Sequence, residues 1–199
     1  MRVKSESRRL AIVDAAKQVF SETGFESASM NEIARRVGFS KATVYNYFSS
    51  KEEIFLSVME TFARRQLAEA FNTLEAESDL LPSLKSFSES YLQSITEPEM
   101  LALEKIVAHE AHRSKIGKFF YEHGPRRGLA KLENFLEQHM KKGNIYSVEP
   151  RVCAQHFLSL IVAEYYTPLF LNAIERPDLD ELNASAARAV DVFLRAYCP

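Results

Sequence analysis

Apolar side chains recur along this chain at spacings of three and four residues, the period of an amphipathic α-helix. No stretch alternates apolar and polar residues as an exposed strand would, and no Asn-Gly or Asp-Gly pair marks a hairpin. Glycine occurs only six times in 199 residues, so turns between short strands are also scarce. The pattern therefore predicts an all-α fold.

The first part of the chain divides into short helices with clear boundaries. The pattern predicts helices over residues 7–22, 30–37, 41–48 and 51–74. Gly24 is predicted to supply a left-handed C-cap, and Gly38 a turn. Ser29 and Ser40 stand where N-capping side chains are expected, directly before the second and third helices.

The rest of the chain is predicted to form a larger helical body. Its helices are expected over residues 82–95, 98–112, 114–123, 125–142, 150–170 and 179–197, separated mainly by Pro and Gly. No Pro/Ser-rich linker separates the two parts, so we expect the helix that starts at Lys51 to join them. The predicted domains are residues 1–51 and 52–199.

The third predicted helix is too short to be stable alone, which indicates that it is presented for contact. Ile33 and Ala34 on the second helix would share a small core with Val44 and Phe48. The residues left facing outward are Lys41, Ala42, Thr43, Tyr45, Asn46 and Tyr47. Such donors, acceptors and methyl groups suit base edges and phosphates of DNA, which a helix-turn-helix meets with its second helix. The alternative is a helical corner with a polar outer surface.

The charge distribution favours the DNA interpretation. The whole chain has a formal net charge of −2, but residues 1–51 carry +4 and residues 52–199 carry −6. A basic head on an acidic body is expected if only the head meets a polyanion. The sequence has no run of eighteen apolar residues and a polar N-terminus, and Cys153 and Cys198 are expected to be reduced thiols. We therefore expect a cytoplasmic protein.

The segment from Arg9 to Phe55 resembles the N-terminal domain of TetR-family transcriptional regulators. The matching parts, in order and at the right spacing, are residues 12–20, 24–25, 29–34, 37–45, 47–48 and 50–51. The resemblance implies a DNA-binding domain over about residues 6–66, with the helix-turn-helix near residues 29–48.

The resemblance also implies roles for individual residues. Ser29 and Ser40 would bind phosphates, and Tyr47 and Lys51 would hold the DNA backbone on either side of the groove. The positions at which the family reads bases are Lys41, Ala42, Thr43, Tyr45 and Asn46. Arg35 and Arg36 could reach DNA or remain solvated.

A basic N-terminal tail precedes this domain and has two interpretations. It could enter the minor groove or be a frayed terminus; its basic residues are Arg2, Lys4, Arg8 and Arg9.

The last two predicted helices carry apolar stripes that could form a dimer interface. The predicted interface residues are Cys153, Leu160, Leu182, Ala186, Ala189, Val190, Phe193 and Tyr197. Small residues such as Ala184 and Ala187 would allow close helix approach in a bundle shared by two subunits. The alternative is that both stripes pack inside one subunit. The family resemblance favours a homodimer, which would bind a palindromic operator.

The body is also where the resemblance places a small-molecule effector. Residues 97–169 more loosely resemble the C-terminal domain of the AefR-like branch of the family. The predicted pocket residues are Phe62, Phe87, Tyr91, Val107, His109, Phe120, Tyr121, Phe157, Ile161, Glu164 and Tyr165. Glu164 could serve a ligand or form a surface salt bridge. The family function implied is a ligand-responsive repressor released by a small lipophilic effector, although activators share this architecture.

Catalytic and metal-binding patterns are weak in this sequence. His109 and His112 are three residues apart, whereas the zinc protease motif requires a spacing of four, and no third ligand is evident. Phosphate-binding glycine loops and nucleophile elbows are also missing from the sequence. We therefore predict no enzyme activity, no cofactor and no metal. The competing class is a protein-binding helical module, whose contact would depend little on salt, unlike DNA binding.

Overall fold

The computed structural model describes residues 5–74, 79–112 and 116–199, with the side chains of residues 60 and 62–69 outside the description. Within these ranges the chain is all-α and has no strand, as predicted. The helices are α1 Glu6–Ser27, α2 Met30–Val37, α3 Lys41–Tyr47, α4 Lys51–Asn72, α5 Leu80–Ile95, α6 Pro98–Glu110, α7 Ile116–His123, α8 Pro125–Lys141, α9 Pro150–Val162, α10 Tyr166–Phe170 and α11 Leu179–Tyr197.

Apart from shifts of one or two residues at helix ends, the structure differs from the predicted helices at two places. The backbone leaves helical geometry at Gly24, with φ 76° and ψ 163°, but one more turn follows and α1 ends at Ser27. The helix predicted over residues 150–170 is two helices, because α9 ends at Val162 and α10 begins at Tyr166. Pro168 explains the break: inside a helix its ring would clash with the carbonyl four residues earlier, whereas the first turn of α10 accepts it.

The chain forms two compact units, of which the first comprises residues 1–62 and 102–120. Its core includes buried side chains of α1, α2, α3 and the start of α4. Phe20, Phe25 and Phe55 form an aromatic trio with ring centroids 4.9–5.4 Å apart. This trio joins α1 to the start of α4, so the short α2 and α3 are held on a rigid base.

The second unit comprises residues 63–101 and 121–199. Its core is one apolar cluster drawn from the end of α4 and from α5, α8, α9 and α11. Within this cluster Gly128 of α8 lies under the ring of Phe71, where an added Cβ would come within 2.5 Å of the ring. Helix α4 thus starts in the first unit and ends in the core of the second.

Candidate nucleic-acid interface

Helices α2 and α3 are defined by the caps that the sequence predicted. The hydroxyl of Ser29 accepts from the backbone N–H of Glu32, and the hydroxyl of Ser40 accepts from the N–H of Thr43, each at 3.1 Å. Gly38 between the helices is left-handed, with φ 75° and ψ 23°, a conformation that favours glycine. These local signals make a tight helix-turn-helix.

The predicted inner faces of α2 and α3 are buried. Ile33, Ala34, Val44 and Phe48 are each at most 5% exposed. These side chains hold α3 against the rest of the first unit although the helix is only seven residues long. Its opposite face is therefore left available for contact.

That outer face carries most of the predicted base-reading residues. Lys41, Ala42, Tyr45 and Asn46 are exposed, and Thr43 is half-buried with its hydroxyl 2.8 Å from that of Ser40. The Lys41 ammonium lies 5.8 Å from the centroid of the Tyr45 ring, one turn away on the same face. The surface thus offers a cation, hydroxyls, an amide and a methyl group within two turns.

Tyr47, the last residue of α3, is half-buried rather than fully exposed. Its phenol oxygen accepts a hydrogen bond from the backbone N–H of Ser5 at 3.1 Å. The side chain is therefore fixed at one end of the exposed face of α3.

Lys51, the first residue of α4, is engaged inside the first unit. Its Nζ donates to the carbonyl oxygens of Phe25 at 2.7 Å and Glu26 at 3.1 Å, and it lies 4.4 Å from the centroid of the Phe25 ring. These carbonyls belong to the last turn of α1, the negative end of its dipole. An ammonium has three N–H donors, so these bonds leave one for a phosphate.

The two arginines of α2 are neutralised by neighbouring carboxylates. Arg36 forms a bidentate pair with Glu22 at 2.6 and 2.8 Å, and Arg35 reaches Glu32 at 2.6 Å. The hydrogen bonds from Arg36 hold the pKa of Glu22 below its ordinary value, and those from Arg35 do the same for the pKa of Glu32. A contact between these arginines and DNA would have to use the N–H donors that the ion pairs leave over, or replace the pairs.

Two residues of the predicted basic tail belong instead to a helix. Arg8 and Arg9 lie in the first turn of α1. Arg9 donates to the hydroxyl of Ser57 at 2.8 Å and lies 5.2 Å from the centroid of Phe48, whereas Arg8 lies 5.8 Å from the Phe39 ring. The sequence did contain a signal that Arg9 faces the core side of α1: it precedes the buried Ile12 by one helical turn, so the two side chains lie on the same face. Arg2 and Lys4 fall outside the described residues.

The residues predicted to line a ligand pocket are divided between the two units. Val107, His109 and Phe120 belong to the first unit, while the side chain of Phe62 lies outside the described part. His109 is exposed. Whether these residues share one site with the remaining members of the predicted set stays a prediction.

Several predicted pocket residues of the second unit do come together. Phe87 stacks on Tyr91 at 5.4 Å and on Phe157 at 6.2 Å, and it also contacts Phe71 at 5.1 Å between centroids. Ile161 is fully buried in the same cluster, and the half-buried Tyr165 packs against it. The last member, Tyr121, is exposed.

Glu164 forms a surface salt bridge, one of the two alternatives that the sequence left open. Arg188 donates to its carboxylate through Nε at 2.9 Å and through Nη2 at 2.5 Å. The hydrogen bond from Arg188 keeps the pKa of Glu164 below its ordinary value. Its carboxylate is therefore already paired.

The residues predicted for a dimer interface are mostly covered by their own protomer. The fully covered members, each at most 5% exposed, are Cys153, Leu182, Ala186, Ala189, Val190 and Phe193; Leu160 and Tyr197 are half-buried against the same cluster. An apolar stripe on a helix packs first against its own bundle, because that contact is intramolecular. A partner subunit would have to use the opposite faces of α9 and α11.

Membrane-spanning helices and metal-binding clusters are absent from residues 5–74, 79–112 and 116–199. None of the helices there is long and apolar enough to cross a membrane. Among the same residues, no three His, Cys, Asp or Glu side chains are grouped so that they could hold a metal ion. Nε2 of His109 lies 4.0 Å from Oε1 of the buried Glu110.

Comparison with known proteins identifies both parts of the chain. A family model for "Bacterial regulatory proteins, tetR family" matches residues 12–58. A second model, "AefR-like transcriptional repressor, C-terminal domain", matches residues 82–199. The uncharacterized HTH-type transcriptional regulator YfiR from Bacillus subtilis (strain 168) is 28% identical over 200 residues, covering 96% of this chain and 94% of YfiR.

Solved structures agree over nearly the whole chain. A TetR-family transcriptional regulator from Mesorhizobium loti MAFF303099 superposes with a TM-score of 0.89 at 25% identity, covering 98% of this chain and all of that one. The flavonoid-responsive regulator FrrA superposes with a TM-score of 0.81 at 29% identity, covering 98% of this chain and 99% of FrrA. These relatives are transcriptional regulators and not enzymes.

Proposed function

Because the chain belongs to the TetR family of DNA-binding transcriptional regulators, we propose that it is a ligand-responsive repressor that binds a palindromic operator as a homodimer. The observation that carries the proposal is α3 itself. It is capped at Ser40, anchored by the buried Val44 and Phe48, and exposed on its polar face. Such a protein would act in the cytoplasm, where bacterial DNA is found.

The proposed DNA contacts divide into base readout and phosphate binding. Base edges in the major groove would meet Lys41, Ala42, Thr43, Tyr45 and Asn46, which lie on or beside the exposed face of α3. Phosphates would meet Ser29, Ser40, Tyr47 and Lys51. Arg35 and Arg36 would meet them through the N–H donors left over from their carboxylate pairs, or by exchanging those pairs.

The homodimer is supported by small exposed residues on the outer face of α11. Ala184 and Ala187 are exposed although alanine is apolar, and Val192 on the same helix is 48% exposed. On α9, Val152 is 43% exposed and His156 is exposed. Small side chains let helices approach closely, so these outward faces could pack with their symmetry mates. A two-fold dimer would present two α3 helices to two half-sites of an inverted repeat.

A small lipophilic effector is proposed to act through the second unit. The aromatic cluster of Phe71, Phe87, Tyr91 and Phe157 has the chemistry to hold a flat apolar molecule, which would have to separate rings that are packed on one another in this structure. The relative FrrA is a flavonoid-responsive regulator, which is consistent with a ligand of this class. We leave His109, Val107 and Phe120 out of this site because they belong to the other unit.

The effector would release DNA by binding one arrangement of the protein better than the other. Only such differential affinity shifts a two-state equilibrium. Helix α4 is the covalent route, because its last turn packs in the aromatic cluster through Phe71 while its first residues pack in the helix-turn-helix unit through Phe55. A shift of α4 would change the separation of the two α3 helices.

The test is selection of bound fragments from a genomic DNA library at moderate salt with competitor DNA. The proposal predicts enrichment of an inverted repeat and a binding constant that falls steeply with salt. Asn46→Ala should change the selected bases, whereas Asn31→Ala, an exposed asparagine on α2, should leave the motif unchanged.

Two results would contradict the proposal. Failure to enrich any fragment, even after unfolding and refolding to remove bound effector, would mean that α3 faces a protein rather than DNA. A protein contact would also show little dependence on salt. Enrichment of a single unrepeated half-site would contradict the homodimer.

A further inference from the structure

One arginine of α1 contacts both the end of α3 and the first part of α4. Nη2 of Arg9 donates to the hydroxyl of Ser57 at 2.8 Å, and its guanidinium carbon lies 5.2 Å from the centroid of the Phe48 ring. Ser57 lies on α4 and is 7% exposed, while Phe48 is the C-cap of α3 and is 1% exposed. The side chain of Arg9 therefore joins three helices at one point.

This contact lies where α3 passes into α4. Phe48 ends α3, and α4 begins at Lys51. The buried anchors that hold α3 are Val44 and Phe48 itself. Apolar packing has no preferred direction, whereas a hydrogen bond from a planar guanidinium does. Arg9 thus supplies a directional contact at a point where apolar packing alone would leave the angle of α3 less well defined.

We propose that Arg9 is a positioning residue for base reading, whose bond to Ser57 fixes the end of α3 on α4 and so sets the angle at which α3 enters the major groove. This inference rests on the proposed function, since it requires α3 to bind DNA. Arg9 acts through Phe48 and α4 and not through a contact of its own with DNA. Recognition side chains must be held to within about 0.5 Å and about 10–20°, so a small rotation of α3 is enough to weaken base contacts.

A phosphate contact is the competing role for an arginine at this place. The side chain of Arg9 is 35% exposed, and the carboxylate of Glu6 lies 3.9 Å away on the solvent side. A guanidinium has five N–H donors, so the bond to Ser57 leaves donors that could meet a phosphate. The two roles differ in what they change. A phosphate contact adds affinity that is independent of sequence and falls with salt, whereas the angle of α3 affects the preference for one sequence.

Ser57→Ala tests the positioning role without changing any charge. Ser57 is buried on α4, and loss of its hydroxyl leaves the partly exposed guanidinium of Arg9 able to bind water instead. If Arg9 served only as a phosphate contact, this substitution would not weaken binding. Arg9→Met removes the donor from the other side and keeps much of the apolar stem. Its matched control is Arg8→Met, because Arg8 carries the same charge in the same turn of α1 and is exposed.

The assay is DNA titration of the full chain at several salt concentrations, with the operator found by genomic selection and with an unrelated duplex of equal length. Ser57→Ala should bind the operator about tenfold more weakly, because a partly misaligned base contact is repeated in each of two subunits. Its affinity for the unrelated duplex and its salt slope should equal those of the wild type. In the R9M background, Ser57→Ala should have no further effect. Arg8→Met should change both affinities by the same factor.

The outcomes separate this inference from the proposed function. If the wild-type chain selects no operator, or binds it no better than the unrelated duplex, the proposed function fails. If the wild type prefers the operator and Ser57→Ala keeps that preference, the positioning role is refuted. It is also refuted if Arg9→Met weakens both duplexes alike and lowers the salt slope by about 1.8, since Arg9 would then be a phosphate contact in each of two subunits. Should Ser57→Ala not fold, Arg9→Met must show a loss of preference that Arg8→Met does not.

Discussion

Lys51 allows a direct test of whether a DNA-contact role or a local structural role dominates at one side chain. The substitution is Lys51→Met, which keeps most of the apolar stem and removes the ammonium. The ammonium donates to the carbonyls of Phe25 and Glu26 and lies over the Phe25 ring. We therefore expect the variant to lose stability as well as DNA affinity.

The magnitude follows from the contacts that disappear. A hydrogen bond from a charged donor contributes about 1.5–3 kcal/mol when well shielded, and a cation–π contact about 0.5–1 kcal/mol when the cation remains accessible to solvent. The bond to Glu26 is exposed and the bond to Phe25 only partly buried, and a lysine side chain gives up to about 2 kcal/mol of rotamer entropy when ordered. We expect a net loss of about 1–2 kcal/mol, or a fall in Tm of about 2–8 °C for a chain of this length.

The assay combines thermal unfolding with DNA titrations at several salt concentrations. Lys41→Met is the matched control, because it removes the same charge from an exposed site on α3. Lys41→Met should leave Tm unchanged. If its ammonium meets a phosphate in each of two subunits, the salt slope should fall by about 1.8.

A Tm of Lys51→Met equal to that of the wild type would refute this reasoning. It would mean that the carbonyl contacts contribute nothing to folding. If the salt slope then fell as for Lys41→Met, Lys51 would be a phosphate contact alone, as the family resemblance implies.

Three further predictions concern packing, acid stability and thiol reactivity. Gly128→Ala should lower Tm, because the new methyl group would stand 2.5 Å from the Phe71 ring. The expected loss in free energy of unfolding is about 1–3 kcal/mol from overpacking, reduced by the helix propensity that alanine gains over glycine. A rise in Tm would contradict the packing argument. Arg36 lowers the pKa of Glu22. The stability that the ionised Glu22 contributes is therefore fully present above its ordinary pKa of 4.5, and it is lost as the pH falls through the lower pKa of the folded state. Denaturant midpoints of wild type and Glu22→Gln should therefore differ at neutral pH and converge in acid. Burial raises the pKa of Cys153 to about 12, so mass spectrometry should find this thiol unalkylated at pH 8 until the protein is unfolded.

The helix-turn-helix could be predicted from the sequence because its signals are local. Ser29, Gly38 and Ser40 act on backbone groups within a few residues of themselves. The inner residues, such as Ile33 and Val44, follow from helical period alone. The phosphate and base contacts inferred from the family remain predictions.

The dimer and ligand residues were harder to predict because they depend on which surfaces meet. The stripe of Leu182, Ala186 and Phe193 reads equally well as a dimer face or as a protomer core, and the structure shows it in the core. His109 and Tyr165 were both predicted to line the pocket, and the structure assigns them to different compact units. The helical period of apolar residues shows that a helix has an apolar face, but it does not show whether that face packs against its own subunit, a second subunit or a ligand.

The sequence by itself determined the helix boundary at Gly38, the N-caps at Ser29 and Ser40, the charge difference between head and body, and the family. Only the tertiary structure decided which charged side chains already have partners. Arg36 pairs with Glu22, Lys51 donates to carbonyls at the end of α1, and Glu164 pairs with Arg188. It also brought the Ser5 amide to Tyr47. The physical reason is range: capping and turn preferences act over a few residues, whereas these pairs join groups 14 to 42 residues apart in sequence.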